Sequence, residues 1–476
     1  MVHRCRLSIP DGSEPLTTMP TKHAPHEPGS TFSEAAGLKR AAPAEHHELV
    51  QALHCERPFE PGQRVSLHGV SAVVLGRGHA LGAERLEEGG ARTLQLTFPD
   101  GWMSASHARL RRERGGFAIY DLASKNGVFV RGQRVDKAHI EDGDLLEIGH
   151  TFFVYRCVQG SAADAPAKDI PELSTLSPSL DLELGRLRAV APRNISVLLQ
   201  GETGTGKEVA AKAVHTLSGR PGRLVAVNCA ALPPTLLESL LFGHRRGAFS
   251  GANEDRQGLV RTAHRGTLFL DEIGDLALPA QAALLRVLDE HAVLPLGAAE
   301  PVPVDLRVIS ASHKDLPAMV AQGTFRADLY GRLTGITISL PPLRLRREDL
   351  GLLIARLGHE TDALRVSVEA ARALFAHDWP LNIRELKKCL ETAVTLAGGS
   401  PLAVEHLPAS LQKATTFDAM RLSAEEQRRK DGLVELLTQH GGNISAVARA
   451  TGKARVQIRR WMARYGLDPK HYQKVE

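Results

Sequence analysis

Residues 201–208 read GETGTGKE, and this stretch decides the fold of the middle of the chain. Its spacing is glycine, four residues, glycine and Lys207, after an apolar run at 196–200 and before a helical pattern at 209–214. Backbone N–H groups at a helix N-terminus can then surround a phosphate, and Lys207 can reach the outer phosphates. Glu208 stands where serine or threonine is usual, which removes a hydroxyl ligand for magnesium.

A second strand pattern supplies acidic partners for this loop. Residues 267–272, TLFLDE, form an apolar run that ends in Asp271 and Glu272. Asp271 can hold Mg2+ through water, and Glu272 can polarise the attacking water. These motifs predict a P-loop ATPase with ATP and Mg2+ as cofactors; the alternative is a glycine-rich turn beside an unrelated acidic strand end. The residues expected to bind ATP in the loop are Gly201, Glu202, Thr203, Gly204, Thr205, Gly206, Lys207 and Glu208.

Another glycine-rich loop, GAFSGA at residues 247–252, lies between these two motifs. Gly247 and Gly251 permit backbone conformations closed to other residues, which makes Phe249 an apolar tip on a flexible stalk. An exposed phenylalanine predicts an anchor for another protein; a surface linker of small residues is the alternative. The residues of this predicted contact loop are Gly247, Ala248, Phe249, Ser250, Gly251 and Ala252.

The chain of 476 residues is long enough for about three domains. Short strands broken by turns predict a β-sandwich, strands alternating with helices predict a parallel α/β sheet with a helical lid, and the last part predicts a small all-α domain. The predicted segments are a disordered tail (1–48), the sandwich (60–158), a linker (159–173), the α/β domain (174–412, lid 341–412), a second linker (413–422) and the all-α domain (423–476).

Composition excludes several other classes of protein. The five cysteines are scattered without CxxC spacing, so neither a disulfide framework nor a zinc site is expected. No apolar run reaches the length of a membrane span, and the N-terminus has no apolar leader segment. We therefore expect a cytoplasmic protein without membrane contact.

Positive charge is concentrated at the C-terminus, where residues 449–476 carry eight basic and two acidic side chains. Asn443 is a plausible helix cap, Gly452 marks a turn, and a basic helix follows. This pattern predicts a helix-turn-helix that binds double-stranded DNA; a solvated basic helix is the alternative. The predicted DNA contacts are Arg455, Arg459, Arg460 and Arg464.

Residues 174–412 resemble the AAA+ domain of sigma-54-dependent transcriptional activators, the bacterial enhancer-binding proteins, and the C-terminal helices resemble their Fis-type DNA-binding domain. The segments that carry the AAA+ resemblance are 227–232, 241–244, 247–252, 268–273, 325–330, 332–333, 341–344 and 379–386.

The resemblance implies roles for further residues. Asn228 would be the switch that holds Glu272, and Arg384 would be a nucleotide-sensing arginine of the lid. Arg326 and Arg332 would reach the ATP of a neighbouring subunit in a ring, expected to be a hexamer. On one straight helix these two arginines would point about 240° apart, so the segment must bend or their targets must differ. The GAFSGA loop would grip sigma-54.

Four positions depart from the family pattern. Ser250 replaces threonine, Arg245 replaces glutamate, and Leu381 replaces glycine, which would be strained if that position required a positive φ. His313 replaces the usual sensor asparagine near ATP. Because histidine changes protonation near neutral pH, we expect ATP turnover to depend on pH more than in relatives.

Three motifs in the predicted sandwich resemble a forkhead-associated (FHA) domain, a family that binds phosphothreonine. They are Gly76-Arg77-Gly78, Ser104-Ala105-Ser106-His107 and Asp121 to Gly127. Arg77 can supply a charged donor for phosphate, Ser104 a hydroxyl and Asn126 amide groups for the peptide backbone, while Lys125 adds charge. Gly76 and His107 are expected to be structural.

The combined interpretation is an ATP-dependent transcriptional activator that binds enhancer DNA and remodels sigma-54 RNA polymerase holoenzyme. Recognition of a phosphothreonine protein or a Ser/Thr kinase would gate it. Two alternatives remain: an AAA+ remodeller of another protein, and a DNA-bound phosphopeptide adaptor whose ATPase has decayed.

Overall fold

A computed structural model describes residues 45–60, 62–88, 91–113, 116–159, 173–231, 233–358, 365–412, 424–453 and 455–464. Most of the predicted N-terminal tail, nearly all of the 159–173 linker and the whole 413–422 linker lie outside these residues. Within the described ranges, no helix combines the length and apolarity needed to cross a bilayer.

The first domain is a sandwich of two sheets with six strands each, in the orders β2-β1-β12-β11-β8-β9 and β10-β7-β6-β3-β5-β4. A continuous apolar core that includes Leu75, Phe98 and Phe153 fills the space between them. The strands are β1 (Glu45–His54), β2 (Arg64–Ser66), β3 (Ala72–Arg77), β4 (Gly82–Glu88), β5 (Ala91–Phe98), β6 (Ala108–Glu113), β7 (Gly116–Asp121), β8 (Val128–Val130), β9 (Gln133–Val135), β10 (Lys137–Ile140), β11 (Leu145–Ile148) and β12 (Thr151–Gln159).

The sandwich begins earlier than the sequence boundary of 60 suggested, and the last residues of the predicted 1–48 tail belong to β1. Strand β1 pairs antiparallel with β12 from Glu45 opposite Gln159 to His54 opposite Thr151. His47 is buried, stacks on Tyr155 and shares a 2.7 Å hydrogen bond with its hydroxyl. The polar His47 ring can occupy a core position because the tyrosine hydroxyl satisfies its hydrogen bond.

The second domain is built on a five-stranded, wholly parallel sheet in the order β14-β17-β20-β13-β21. Strands β13 and β17 are largely buried apolar runs, as expected for a sheet covered on both faces. The elements are α1 (Pro178–Val190), β13 (Val197–Gln200), α2 (Lys207–Ser218), β14 (Leu224–Asn228), α3 (Pro234–Phe242), β15 (Gly243–His244), β16 (Arg256–Gln257), α4 (Leu259–Thr262), β17 (Thr267–Asp271), α5 (Leu278–Glu290), β18 (Ala292–Val293), β19 (Val302–Pro303), β20 (Arg307–Ser312), α6 (Leu316–Ala321), α7 (Ala327–Leu333) and β21 (Ile336–Ser339).

The lid consists of α8 (Leu350–Leu357), α9 (Val368–Ala376), α10 (Asn382–Ala397) and α11 (Ala409–Gln412), preceded by short 3-10 turns at Leu343–Leu345 and Arg347–Asp349. Its apolar core is continuous with one edge of the sandwich. Leu53 and Phe152 of the sandwich belong to the same buried cluster as Ile354 and Trp379 of the lid, and Phe152 stacks on Phe375. The sandwich and the lid therefore share one core.

Three helices form the described C-terminal part: α12 (Ala424–Gln439), α13 (Ile444–Thr451) and α14 (Arg455–Arg464). Asn443 caps α13 by accepting from the backbone N–H groups of Ser445 and Ala446, and Gly452 ends it at φ 64°. A small core that includes Leu437, Val447 and Ile458 joins the three helices.

Candidate nucleotide and phosphopeptide sites

The phosphate loop connects β13 to α2, as its sequence predicts. Gly204 and Gly206 have φ of 80° and 105°, which only glycine adopts at low cost. Lys207 opens α2 and is buried; its ammonium group donates to the carbonyl oxygens of Gly201 at 2.9 Å and Glu202 at 3.2 Å. The loop thus holds a positive charge at a helix N-terminus, an arrangement suited to phosphate.

The two predicted carboxylates lie at the same edge of the sheet as Lys207. Burial, followed by the neighbouring Glu272 charge, raises the pKa of Asp271. Glu272 has φ 52° and its carboxylate lies 3.7 Å from the Lys207 ammonium. Adjacent carboxylates beside a phosphate loop are a donor set that fits Mg2+ once nucleotide oxygens complete it.

His313 is the closest polar partner of Glu272. The Nδ1 atom of His313, just beyond β20, lies 2.6 Å from Glu272 Oε2, and the His313 backbone N–H donates to the same oxygen at 3.4 Å. Glu272 therefore starts from a conformation fixed by a titratable side chain.

Asn228 does not hold Glu272 in this structure. Asn228 ends β14 and lies opposite Asp271 in the ladder, but its side-chain oxygen accepts from the backbone N–H of Ala230 at 2.9 Å. The chain turns sharply after the strand, and the asparagine caps that turn. His313 takes the position beside Glu272 that the sequence analysis gave to Asn228.

The lid touches the phosphate loop through polar groups that sequence reasoning missed. Arg344 forms a bidentate ion pair with Glu202, with one contact at 2.8 Å, and this hydrogen bonding lowers the pKa of Glu202. Arg346 is buried and donates to the carbonyl oxygen of Thr205 at 2.8 Å. These partners lie about 140 residues apart, so no local pattern could reveal them.

Asn382 adds a buried contact to this lid–loop interface. Its amide donates to Glu202 at 3.2 Å and to the carbonyl oxygen of Thr203 at 3.0 Å, while its oxygen accepts from the backbone N–H of Leu343 at 2.8 Å. Asn382 has φ 55°. Asparagine tolerates this left-handed conformation better than most residues.

Arg384 and Leu381 are two further lid positions for which the sequence made a prediction. Arg384 is exposed, and its Cβ lies close enough to Gly204 that a Cβ added to that glycine would be 3.2 Å away. Arg384 therefore stands beside the loop as predicted for a nucleotide-sensing arginine. Leu381 has φ −103°, so the strain considered for leucine at this position does not arise.

Arg326 and Arg332 are both exposed and paired within their own chain. Arg326 has an extended backbone just before α7 and binds Asp328 at 2.7 Å, whereas Arg332 in the last turn binds Asp289 at 2.7 Å. They do not share one straight helix, because α7 begins after Arg326. Exposed ion pairs of this kind contribute about 0–1 kcal/mol, so either arginine can be released at little cost.

The GAFSGA loop stands on a two-stranded ribbon of β15 and β16. Gly247 and Gly251 have φ of 83° and 102°, and the Gly247 N–H donates to the carbonyl oxygen of Ala252 at 2.8 Å. Phe249 remains 40% exposed, with one edge against the His244 ring at 4.9 Å. The apolar tip thus points outward from a closed turn.

Arg245 beside this loop binds Asp255, whose carboxylate also accepts from the Arg246 N–H at 2.8 Å. The arginine that departs from the family pattern therefore braces the base of the ribbon.

The FHA-like loops lie together at one end of the sandwich. Arg77 ends β3 and is exposed, and Ser104 Oγ accepts from the Lys125 N–H at 3.2 Å. Buried His107 joins the loops: it accepts from the Ser104 N–H at 3.1 Å and contacts the Gly127 carbonyl oxygen at 3.0 Å. Its role is to position these loops.

Two further features shape this end of the sandwich. A Cβ on Gly76 would lie 1.9 Å from the carbonyl oxygen of Ala105, so the backbones approach too closely for any other residue. The Asn126 amide donates to the carbonyl oxygen of Trp102 at 2.7 Å.

The sandwich docks on the lid through buried charges as well as the shared core. The Glu348 side chain is fully buried and accepts from Arg156 Nε at 3.1 Å, and Glu147 accepts from Arg372 Nε at 2.8 Å. A Cβ at Gly351 would lie 1.9 Å from the carbonyl oxygen of Ala52, so α8 lies directly on β1.

Among the predicted DNA contacts, Arg455 and Arg459 are exposed on α14. Arg460 and Arg464 are part of the helix, but their side chains lie outside the described residues.

Comparison with known proteins decides the family. The sigma-54 interaction domain matches residues 173–339, the AAA+ ATPase lid domain matches 344–423 and the FHA domain matches 73–149. The transcriptional regulatory protein GlrR of Escherichia coli K12 is 39% identical over 320 residues, which cover 65% of this chain and 72% of that protein. The chain belongs to the sigma-54-dependent transcriptional regulators.

Another relative shares a larger part of the chain. The acetoin catabolism regulatory protein of Cupriavidus necator is 46% identical over 398 residues, covering 73% of this chain but 58% of that protein. Among solved structures, NtrX of Brucella abortus in complex with ADP has a TM-score of 0.49 and 30% identity, covering 62% of this chain and 70% of the other. This sigma-54 regulator thus combines an AAA+ domain with an FHA domain at residues 73–149.

Proposed function

We propose that this regulator is an ATP-driven activator that binds enhancer DNA and remodels sigma-54 RNA polymerase holoenzyme. The observation that carries the proposal is that a phosphate loop, an acidic strand end and an outward-pointing Phe249 belong to one domain. In this reading Glu272 orients the attacking water, Asp271 and nucleotide oxygens hold Mg2+, and Phe249 contacts sigma-54.

Hydrolysis begins with release of Glu272. Lys207 binds phosphate in place of the two carbonyl oxygens that it contacts here, and Glu272 leaves His313 to reach the water. Asp271 would hold Mg2+ through water, and the ion would neutralise charge on the phosphates. Arg326 and Arg332 exchange their exposed aspartates for a neighbour's nucleotide, so the active form is a homo-oligomeric ring, with six subunits expected. His313 and Arg384 contact the nucleotide and sense whether ATP is bound.

Phosphothreonine gating is supported by how the FHA domain is attached. Glu348, which pairs with Arg156 of the sandwich, lies two residues from Arg346, which binds Thr205 of the phosphate loop. A phosphothreonine bound at Arg77, Ser104, Lys125 and Asn126 would therefore act on a domain fixed to the lid. Positive charge on α14 favours DNA contact by Arg455, Arg459, Arg460 and Arg464.

Transcription in vitro from a sigma-54 promoter tests this function. With ATP, the wild-type protein should yield transcripts, whereas Glu272→Gln and Phe249→Ala should be silent; Phe249→Ala should still hydrolyse ATP. Glu391→Gln and Leu396→Ala, at exposed positions of α10, are matched controls and should remain active.

Three other outcomes would contradict the proposal. Transcription by Phe249→Ala at the wild-type level removes the contact loop from the mechanism. ATPase activity without any transcription favours remodelling of another protein. Phosphopeptide and DNA binding without ATPase activity favours an adaptor.

A further inference from the structure

A cleft of about 500 Å³ lies between the sandwich and the lid, and neither domain forms it alone. From the sandwich it is lined by Trp102, Asn126 and His150, and from the lid by Arg365, Ser367 and Pro401. Asn126 belongs to the predicted phosphothreonine site, so the cleft begins where the side chains next to a bound phosphothreonine would lie.

The sandwich wall is a flat aromatic surface with a polar edge. Trp102 is 51% exposed and stacks on His150 with ring centroids 4.3 Å apart and planes inclined by 13°. The Asn126 amide is fixed against the Trp102 carbonyl oxygen. A surface of this kind suits an extended peptide, because aromatic rings provide contact area at low entropy cost.

The lid wall supplies an available cation. Arg365 is exposed, and its guanidinium has no hydrogen-bond or ion-pair partner among the residues that the structure describes. The other arginine at the cleft, Arg372, is already bound to Glu147 and lies over the Phe129 ring at 5.3 Å. Among the described residues of the lining, Arg365 is therefore the cation left for a ligand, and the exposed Glu369 is the nearest acidic residue in the sequence on the same wall.

We propose that this cleft is a composite specificity site, in which Arg365 of the lid selects an acidic residue flanking the phosphothreonine bound by the FHA domain. The inference rests on the proposed phosphothreonine recognition and deepens it. An acidic side chain accepts from the Arg365 guanidinium, and the neighbouring peptide lies against Trp102. The lid thus contributes to a recognition site that the FHA motifs assign to the sandwich alone.

The experiment uses the full-length protein and an array of phosphothreonine peptides that carry Asp, Glu, Ala or Lys at each of four positions on either side. Wild type, Arg365→Glu, Lys388→Glu and Arg77→Ala are compared. Lys388 is an exposed lid lysine on α10 outside the cleft, so it controls for the same charge reversal. We expect wild type and Lys388→Glu to prefer an acidic residue at one flanking position.

Arg365→Glu should reverse that preference toward lysine, with roughly a tenfold loss for the acidic peptide. A reversal cannot arise from misfolding, which only weakens binding. If Arg365→Glu keeps the wild-type preference while Arg77→Ala loses phosphopeptide binding, the composite site is wrong and phosphothreonine recognition stands. If no peptide binds, or Arg77→Ala binds as wild type, phosphothreonine recognition by these loops fails and the inference fails with it.

Discussion

The lid has two interfaces of opposite character. Toward the sandwich it presents a docking face with a shared apolar core, the fully buried Glu348 and a backbone contact at Gly351 that leaves no room for a Cβ. Toward the phosphate loop it presents a nucleotide face made of hydrogen bonds, among them the partly exposed Arg344–Glu202 pair.

This difference indicates which interface can change during the reaction cycle. Separating the sandwich from the lid would expose apolar surface and leave buried charges without their partners, which is costly. The partly exposed Arg344–Glu202 pair at the nucleotide face can exchange for water or for phosphate at much lower cost. We therefore expect the sandwich and the lid to move together, while the lid moves relative to the phosphate loop.

The largest expected effect tests the docking face. Glu348→Ala removes the fully buried carboxylate that pairs with the partly buried Arg156, and removal of one partner of a buried pair costs about 3–5 kcal/mol. The measurement is urea unfolding of the full chain followed by tryptophan fluorescence, since Trp379 lies in the shared core. Glu391→Ala, at an exposed pair of α10, should change stability by less than about 0.5 kcal/mol. Equal effects of the two substitutions would mean that the domains do not dock.

The next effect is on pH dependence and concerns Asp349, whose carboxylate accepts from Thr175 and the Leu176 N–H. Burial raises the pKa of Asp349 to about 6 from its ordinary value of 3.8. The folded protein thus binds this proton more tightly than the unfolded chain, so stability falls as pH rises from about 4 to about 6, by on the order of 2–3 kcal/mol.

Asp349→Asn should remove this decline, and the difference between wild-type and variant unfolding curves over that pH interval isolates it. A difference that stays constant with pH would show that Asp349 ionises normally in the folded protein.

A smaller effect probes the nucleotide face. Asn382→Gly keeps the positive φ but deletes three hydrogen bonds, leaving the Leu343 N–H unpaired, and should lower stability by about 1–2 kcal/mol. Asn382→Ala should cost about 1 kcal/mol more because alanine is strained there. Thermal unfolding of both variants measures the difference. If alanine is tolerated better than glycine, the left-handed conformation is not retained.

The smallest effect concerns His313. The hydrogen bond between His313 Nδ1 and Glu272 has to break before Glu272 can reach the attacking water. His313→Ala removes this bond and should raise the rate of ATP hydrolysis by roughly two- to fivefold, which is less than about 1 kcal/mol. His264→Ala serves as a control on an unrelated loop. An unchanged rate in His313→Ala would remove His313 from control of turnover.

The order of domains and the position of the catalytic edge could be predicted from the sequence. The phosphate loop follows the end of β13, Asp271 and Glu272 lie at the end of β17, and parallel strands bring such ends to one edge of a sheet. The Asn443 cap and the Gly452 turn are likewise local signals. Such inferences succeed because the decisive interactions lie within a few residues of the motif.

The remaining features depend on contacts between distant segments. Glu202 and Arg344 are separated by 142 positions, and Arg156 and Glu348 by 192, so no periodicity reports them. Strand β1 was not predicted because its polar residues, among them His47, do not form an apolar pattern. The burial of His47 depends on Tyr155, which is distant in the sequence. Glu272 pairs with His313 instead of the expected Asn228, whose side chain caps the turn after β14.

The close approach of Gly351 to Ala52 limits how this protein can be rearranged. The forkhead-associated domain is not an independent unit here, because its first strand packs directly against a helix of the lid. Grafting a foreign module in front of this ATPase would fail unless the graft also carried a matching small residue, buried carboxylate and apolar edge. Truncated forms should therefore keep the sandwich and the lid together, because separating them would expose the apolar core that they share and favour aggregation.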